Sequence, residues 1–158
     1  MRTLDDITVE IAQNRRAAEL AVAGAVLSDP SSRGTAWYMD ITSAHFESRD
    51  TLLIFNAAVV AGKENRGRMI AMKVARMCLK SESLWRENEI NPGEMWSDFL
   101  LADMVVGVKD ARAQLKMWCP QLIELCERIN EAARLWKLYR DVLLNRVDVR
   151  TLRSKRIG

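Results

Sequence analysis

The sequence predicts an all-α protein, and three observations carry that prediction. Glycine and proline are sparse, seven and three in 158 residues, and long stretches hold neither, which disfavours a turn-rich β-sandwich. Apolar residues recur at three- and four-residue steps through several segments, the period of an α-helix. Residues that start or stop helices (Asp5-Asp6, Asp29-Pro30, Asn91-Pro92) stand at the edges of those segments. A hydrophobic fraction of 49% with 28% charged residues suits one small domain, with or without an appendage, that buries a core. No apolar run of about 18 residues occurs, so no membrane span is expected.

The first helix is expected over Leu4–Ser28, where Ile7, Ile11, Ala18, Ala21, Val22 and Ala25 recur on one side, with a break near Asn14-Arg15 as an open alternative. Asp5 and Asp6 near its start suit the helix dipole. Asp29-Pro30 ends it, because the residue before a proline avoids the α region. The small residues Ala21, Gly24 and Ala25 leave space for another helix to come close. Asp29 to Ser32 then caps a short helix reaching Trp37, and 42–46 forms a single turn that delivers Phe46 to the core. Ser48 or Asp50 caps a third helix to about Lys63, with Leu52, Phe55 and Val59 inward. A loop over 62–67, a helix over 68–79 and a helix opened by Asn91-Pro92 and carrying Met95, Trp96, Phe99, Leu100 and Met104 complete the middle.

The last segment is the most regular. Ala111, Leu115, Trp118, Leu122, Leu125, Ile129, Ala132, Trp136, Tyr139 and Leu143 keep the 4-3-4-3 spacing of a seam that packs on another helix. Pro120 inside it lacks an N–H, so the expectation is a short helix before it and a long one after it. Trp118, Trp136 and Tyr139 are costly to leave in water and favoured at interfaces. The seam therefore reads either as a surface for a second copy or a related helix, or as the core side of an intramolecular pair.

Charge is concentrated at the C-terminal end. From Arg134 onward eight Lys or Arg stand against Asp141 and Asp148, whereas the rest of the chain is slightly acidic. The cluster Arg146, Arg150, Arg153, Lys155 and Arg156 could meet nucleic-acid phosphates or an acidic partner, or form a solvated tail over 150–158. No aromatic is interleaved there for base stacking.

Catalysis is not expected. The lone His45 has no neighbouring nucleophile motif, and with Cys78, Cys119 and Cys126 it makes no zinc constellation. Cys119 and Cys126 lie two turns apart on one helix, so neither a disulfide nor a shared metal joins them, and reduced thiols in the cytoplasm are expected. Glu87 and Glu89, like Asp5 and Asp6, read as solvated helix-end charges. Residues 62–67 lack the Gly-Lys-Ser/Thr ending of a phosphate loop, and Met69, Met72 and Met77 read as core filler. No cofactor or metal is called for.

Residues 19–30 read Glu-Leu-Ala-Val-Ala-Gly-Ala-Val-Leu-Ser-Asp-Pro, followed by Phe46 and by Leu52-Leu53-Ile54-Phe55-Asn56-Ala57-Ala58. This order resembles the N-terminal domain of DnaB-type replicative helicases, in which an E-x-A-V-x-G-x-x-L-x-D-P helix precedes an Asp-Phe-Tyr turn and an I-F-x-A-I helix. The likeness is strongest over 19–58, about a quarter of the chain, and returns at 121–135, where the family has an apolar and basic helix that begins a protruding hairpin. Departures are His45-Phe46-Glu47 at the turn, Thr51 at the family's histidine, and no Pro-Val-Asp connector.

The resemblance implies a compact helical globule over 1–108 and a protruding helical hairpin over 109–149. In those helicases the hairpins pair two subunits, and the resulting collar touches primase and loader proteins before a RecA-like ATPase follows. The expectation here is a non-enzymatic DNA-replication factor acting by contact: a homodimer, or a partner of helicase, primase or loader. Leu115, Trp118, Leu122, Leu125, Ile129, Trp136, Tyr139 and Leu143 are its expected interface. The alternative is a small nucleic-acid-binding protein that uses the basic tail.

Overall fold

The computed structural model describes residues 1–64 and 103–156, and the helices expected over 68–79 and after Asn91-Pro92 lie largely outside them. Among the described residues every regular element is helical, as expected. The elements are α1 (Leu4–Ser28), a 3-10 turn (Pro30–Ser32), α2 (Arg33–Tyr38), a second 3-10 turn (Ser43–His45), α3 (Arg49–Glu64), α4 (Ala111–Leu143) and α5 (Val149–Arg156). Residues 103–106 are also helical. No described helix is long and apolar enough to cross a membrane. The chain divides into two compact units, Met1–Ile123 and Glu124–Gly158, with the division inside α4.

In the first unit, α1 begins at a capping box: the Thr3 hydroxyl accepts from the Asp6 N–H while the Asp6 carboxylate accepts from the Thr3 N–H. The helix runs unbroken past Asn14-Arg15. Its start is exposed at Leu4, Ile7 and Val9, whereas Ala18 and the whole stretch from Val22 to Ser28, about two turns, are buried. Asp29 stops it, and its carboxylate accepts from the Ser31 N–H at 3.0 Å and from the Ser31 hydroxyl at 2.7 Å.

Helix α1 packs chiefly on α3. The inward side of α3 differs from the expected one. Leu52 and Val59 are only half-buried, while Thr51, Leu53, Ile54, Phe55, Ala57 and Ala58 are covered. The cause is burial from several sides over 51–58, which removes the single apolar stripe that periodicity looks for. The turn before α3 delivers Phe46 as expected, stacked on Phe55 with centroids 4.6 Å apart. His45 is the turn's cap, its Nδ1 accepting from the Thr42 N–H at 3.0 Å.

The small-residue patch on α1 meets a close neighbour. A Cβ built on Gly24 would lie 2.6 Å from the Met104 carbonyl oxygen, a separation that only glycine tolerates. Beside it, the Gln114 side chain of α4 donates to the Ala21 carbonyl at 3.0 Å.

Helix α4 is continuous from Ala111 to Leu143 with Pro120 inside it. The expected break at Pro120, and with it a hairpin of two arms meeting there, does not form. Leu115, Cys119 and Leu122, on both sides of the proline, are fully buried, which holds the two halves in one helix. Each such leucine adds about 1.5–3 kcal/mol of burial. Pro120 itself is exposed, and the adjacent Gln121 side chain donates to the Met117 carbonyl at 3.3 Å.

In the second unit α4 ends in a Schellman-type turn. Asn145 adopts φ 56°, the Arg146 N–H donates to the Asp141 carbonyl at 2.8 Å, and the Asn145 N–H to the Val142 carbonyl at 3.0 Å. The tail expected to be flexible over 150–158 is helical through Arg156. Asp148 accounts for this, since its carboxylate accepts from the Arg150 N–H at 2.9 Å at the start of α5.

Candidate functional site

The seam of α4 changes character along its length. Ala111, Leu115 and Leu122 are covered by the chain itself, as is Leu125, and Trp118 and Ile129 are half-buried. Ala132 is exposed; Trp136, Tyr139 and Leu143 are 66%, 56% and 67% exposed. Of the expected interface residues, Leu115, Leu122 and Leu125 are therefore core residues. Periodicity could not separate them from the others, because a seam facing its own core and one facing a partner share the same spacing.

What stays open is one face of α4 within the second unit. The Trp136 and Tyr139 rings stack on each other with centroids 5.8 Å apart. Leu135, half exposed, lies beside them, and Ala132 and Ala133 leave a shallow step one turn before. Several polar side chains on the rest of this helix pair with one another. Arg134 grips Glu131 through two bonds of 2.9 and 2.5 Å, and Arg128 pairs with Glu124 at 3.9 Å. Arg140 and Arg146 both lie 3.9 Å from Asp141. These are solvated pairs of small energetic weight. Beside them the aromatic face leaves large apolar side chains in water.

Of the expected basic contacts, Arg146 stands before α5, while Arg150 and Arg153 are exposed on it. Lys155 and Arg156 share that helix.

A buried polar cluster between α1 and α3 escaped the reading of the sequence. Glu19, 1% exposed, accepts from the Thr51 hydroxyl at 2.8 Å and from the Ser48 N–H at 3.2 Å, and Arg15 lies 3.7 Å away. Arg15 also donates to the His45 carbonyl at 3.2 Å. Burial pushes the Glu19 carboxyl above its ordinary range, against the opposing pull of those bonds and of Arg15. Next to Arg15, Arg16 donates twice to the buried Asp50, at 2.6 and 2.5 Å. Burial alone would raise the Asp50 carboxyl, yet the Arg16 bonds and the Thr51 N–H together hold it below the usual range. The i,i+4 spacing of Arg15 and Glu19 was the available signal. Every carboxylate here is committed to a structural partner, so the cluster joins α1 to α3 and offers no acid–base pair.

An open groove of about 470 Å³ on α1 is lined by Val9, Ala12, Gln13, Arg16, Ala17 and Leu20, and Arg16 in it is already held by Asp50. Cys119 and Cys126 are buried, and burial pushes the Cys119 thiol up to about 12. Among the described residues no group of three His, Cys, Asp or Glu stands close enough to hold a metal.

No family model, curated protein or solved structure matches this chain.

Proposed function

We propose that this protein is a non-enzymatic DNA-replication factor that works by protein–protein contact, seating a partner helix on the open face of α4. The observation that carries the reading is the row Leu135, Trp136, Tyr139 and Leu143, left in water at the end of a helix whose earlier seam is covered at Ala111, Leu115, Leu122 and Leu125. Tryptophan and tyrosine are the side chains most often found at the energetic centres of interfaces. Burying one such anchor is worth about 2–3 kcal/mol. The replication setting rests on the resemblance of residues 19–58 to the helicase N-terminal domain, whose subunits pair through helices.

The test is sedimentation velocity of the wild-type chain and of Trp136→Ser/Tyr139→Ser, each alone and mixed with the replicative helicase or primase of the source organism. The expected result is an association that weakens at least about tenfold in the double variant. Both side chains are exposed, so the variant keeps its fold, which circular dichroism checks. No association in either setting, or association that ignores the substitutions, overturns the reading.

A further inference from the structure

Resting on that contact reading, we propose that the helix seated on α4 is α4 of a second copy, running antiparallel and centred near Arg134. Two independent features of residues 124–146 lead there.

The first is shape. With the two helices antiparallel and centred at residue 134, the seam residues pair in layers: Trp136 opposite Ala132, Tyr139 opposite Ile129, and the same pairs again across the two-fold axis. Large side chains meet small or half-covered ones, the alternation that fills a helix–helix interface. Leu135 meets its own counterpart close to the axis, and Ala133 does so on the opposite flank. Leu143 comes level with Leu125, which the chain already covers, so the pairing ends there. A parallel pair would instead stack Trp136 on Trp136 and set Ala132 against Ala132, crowding one layer and leaving a void in the next.

The second is charge. Residues 124–131 carry Glu124, Glu127 and Glu131 against Arg128 alone, whereas residues 134–146 carry Arg134, Lys137, Arg140 and Arg146 against Asp141 alone. Antiparallel pairing lays the acidic stretch of one copy along the basic stretch of the other. Parallel pairing lays like on like, which costs association.

Bis-maleimide cross-linking of single-cysteine additions tests the direction, with the wild-type chain as the control for its own cysteines. At 1.5 Å per residue, Leu135→Cys faces its counterpart about 3 Å apart along the axis, and Tyr139→Cys faces its own about 15 Å apart. Leu135→Cys alone is expected to yield a covalent dimer. Tyr139→Cys alone is expected to yield little, and an equal mixture of Tyr139→Cys with Ile129→Cys to yield the mixed dimer. Self-association is also expected to weaken several-fold between low and physiological salt. Cross-linking of Tyr139→Cys alone as efficient as that of Leu135→Cys, or association that strengthens with salt, overturns the antiparallel copy and leaves the contact reading standing. A monomer that binds helicase or primase through Trp136 likewise removes the second copy alone. A chain that binds neither itself nor those partners sinks both.

Discussion

Single residues of the first unit show how context reverses ordinary preferences. Alanine is normally better than glycine inside a helix by about 1 kcal/mol. At Gly24 the added carbon would stand 2.6 Å from a backbone oxygen of Met104, so Gly24→Ala is expected to destabilise by about 1–3 kcal/mol. A lowered urea midpoint with an unchanged slope would show it. The carboxylates between α1 and α3 pull on acid stability in opposite directions. Asp50, held below the ordinary range, adds stability that is present above that range and lost as pH falls through its depressed value. Glu19, raised by burial, adds stability that is present below the ordinary range and lost as pH rises through its elevated value. Denaturation midpoints followed against pH should therefore show a shallower acid loss in Asp50→Asn. In Glu19→Gln the decline on the rising side should vanish. Parallel curves for wild type and both variants would refute the assignment.

Helix α4 was legible in its length and period and illegible in its continuity. A proline inside a helix removes one hydrogen bond and costs about 3 kcal/mol, which argues for a break when only the sequence is weighed. The burial of Leu115, Cys119 and Leu122 on both sides outweighs that penalty, and such burial cannot be read from spacing. Because Pro120 is exposed and has no N–H to donate inside the helix, Pro120→Ala is expected to stabilise by about 1–3 kcal/mol, read as a raised melting temperature. The ends of α2 and α4 were legible in position, near Trp37 and Leu143, but the device that stops each helix was not. Both stop at a residue with positive φ, Asp40 and Asn145, where glycine would have announced the turn. By contrast Asp29-Pro30 and Phe46 act through local chemistry, and their roles were visible from the start, whereas the Thr3 cap of α1 was not read. At the candidate site the identities of Trp136, Tyr139 and Leu143 were legible, but the point along α4 where covering ends was not, since it depends on tertiary packing.

For the molecule taken entire, stability and assembly are linked if a second copy binds only the folded chain. Melting temperature should then climb as protein concentration rises for the wild type. It should stay flat for Trp136→Ser/Tyr139→Ser, and a flat response in both would argue against the self-pairing. The covered half of α4 offers a separate readout of its own. With its sulfur sealed inside and reluctant to ionise, Cys119 stays silent toward alkylating reagents until the packing around it opens. Peptide-resolved labelling of that thiol over time therefore acts as a built-in clock for how often the helix lets go.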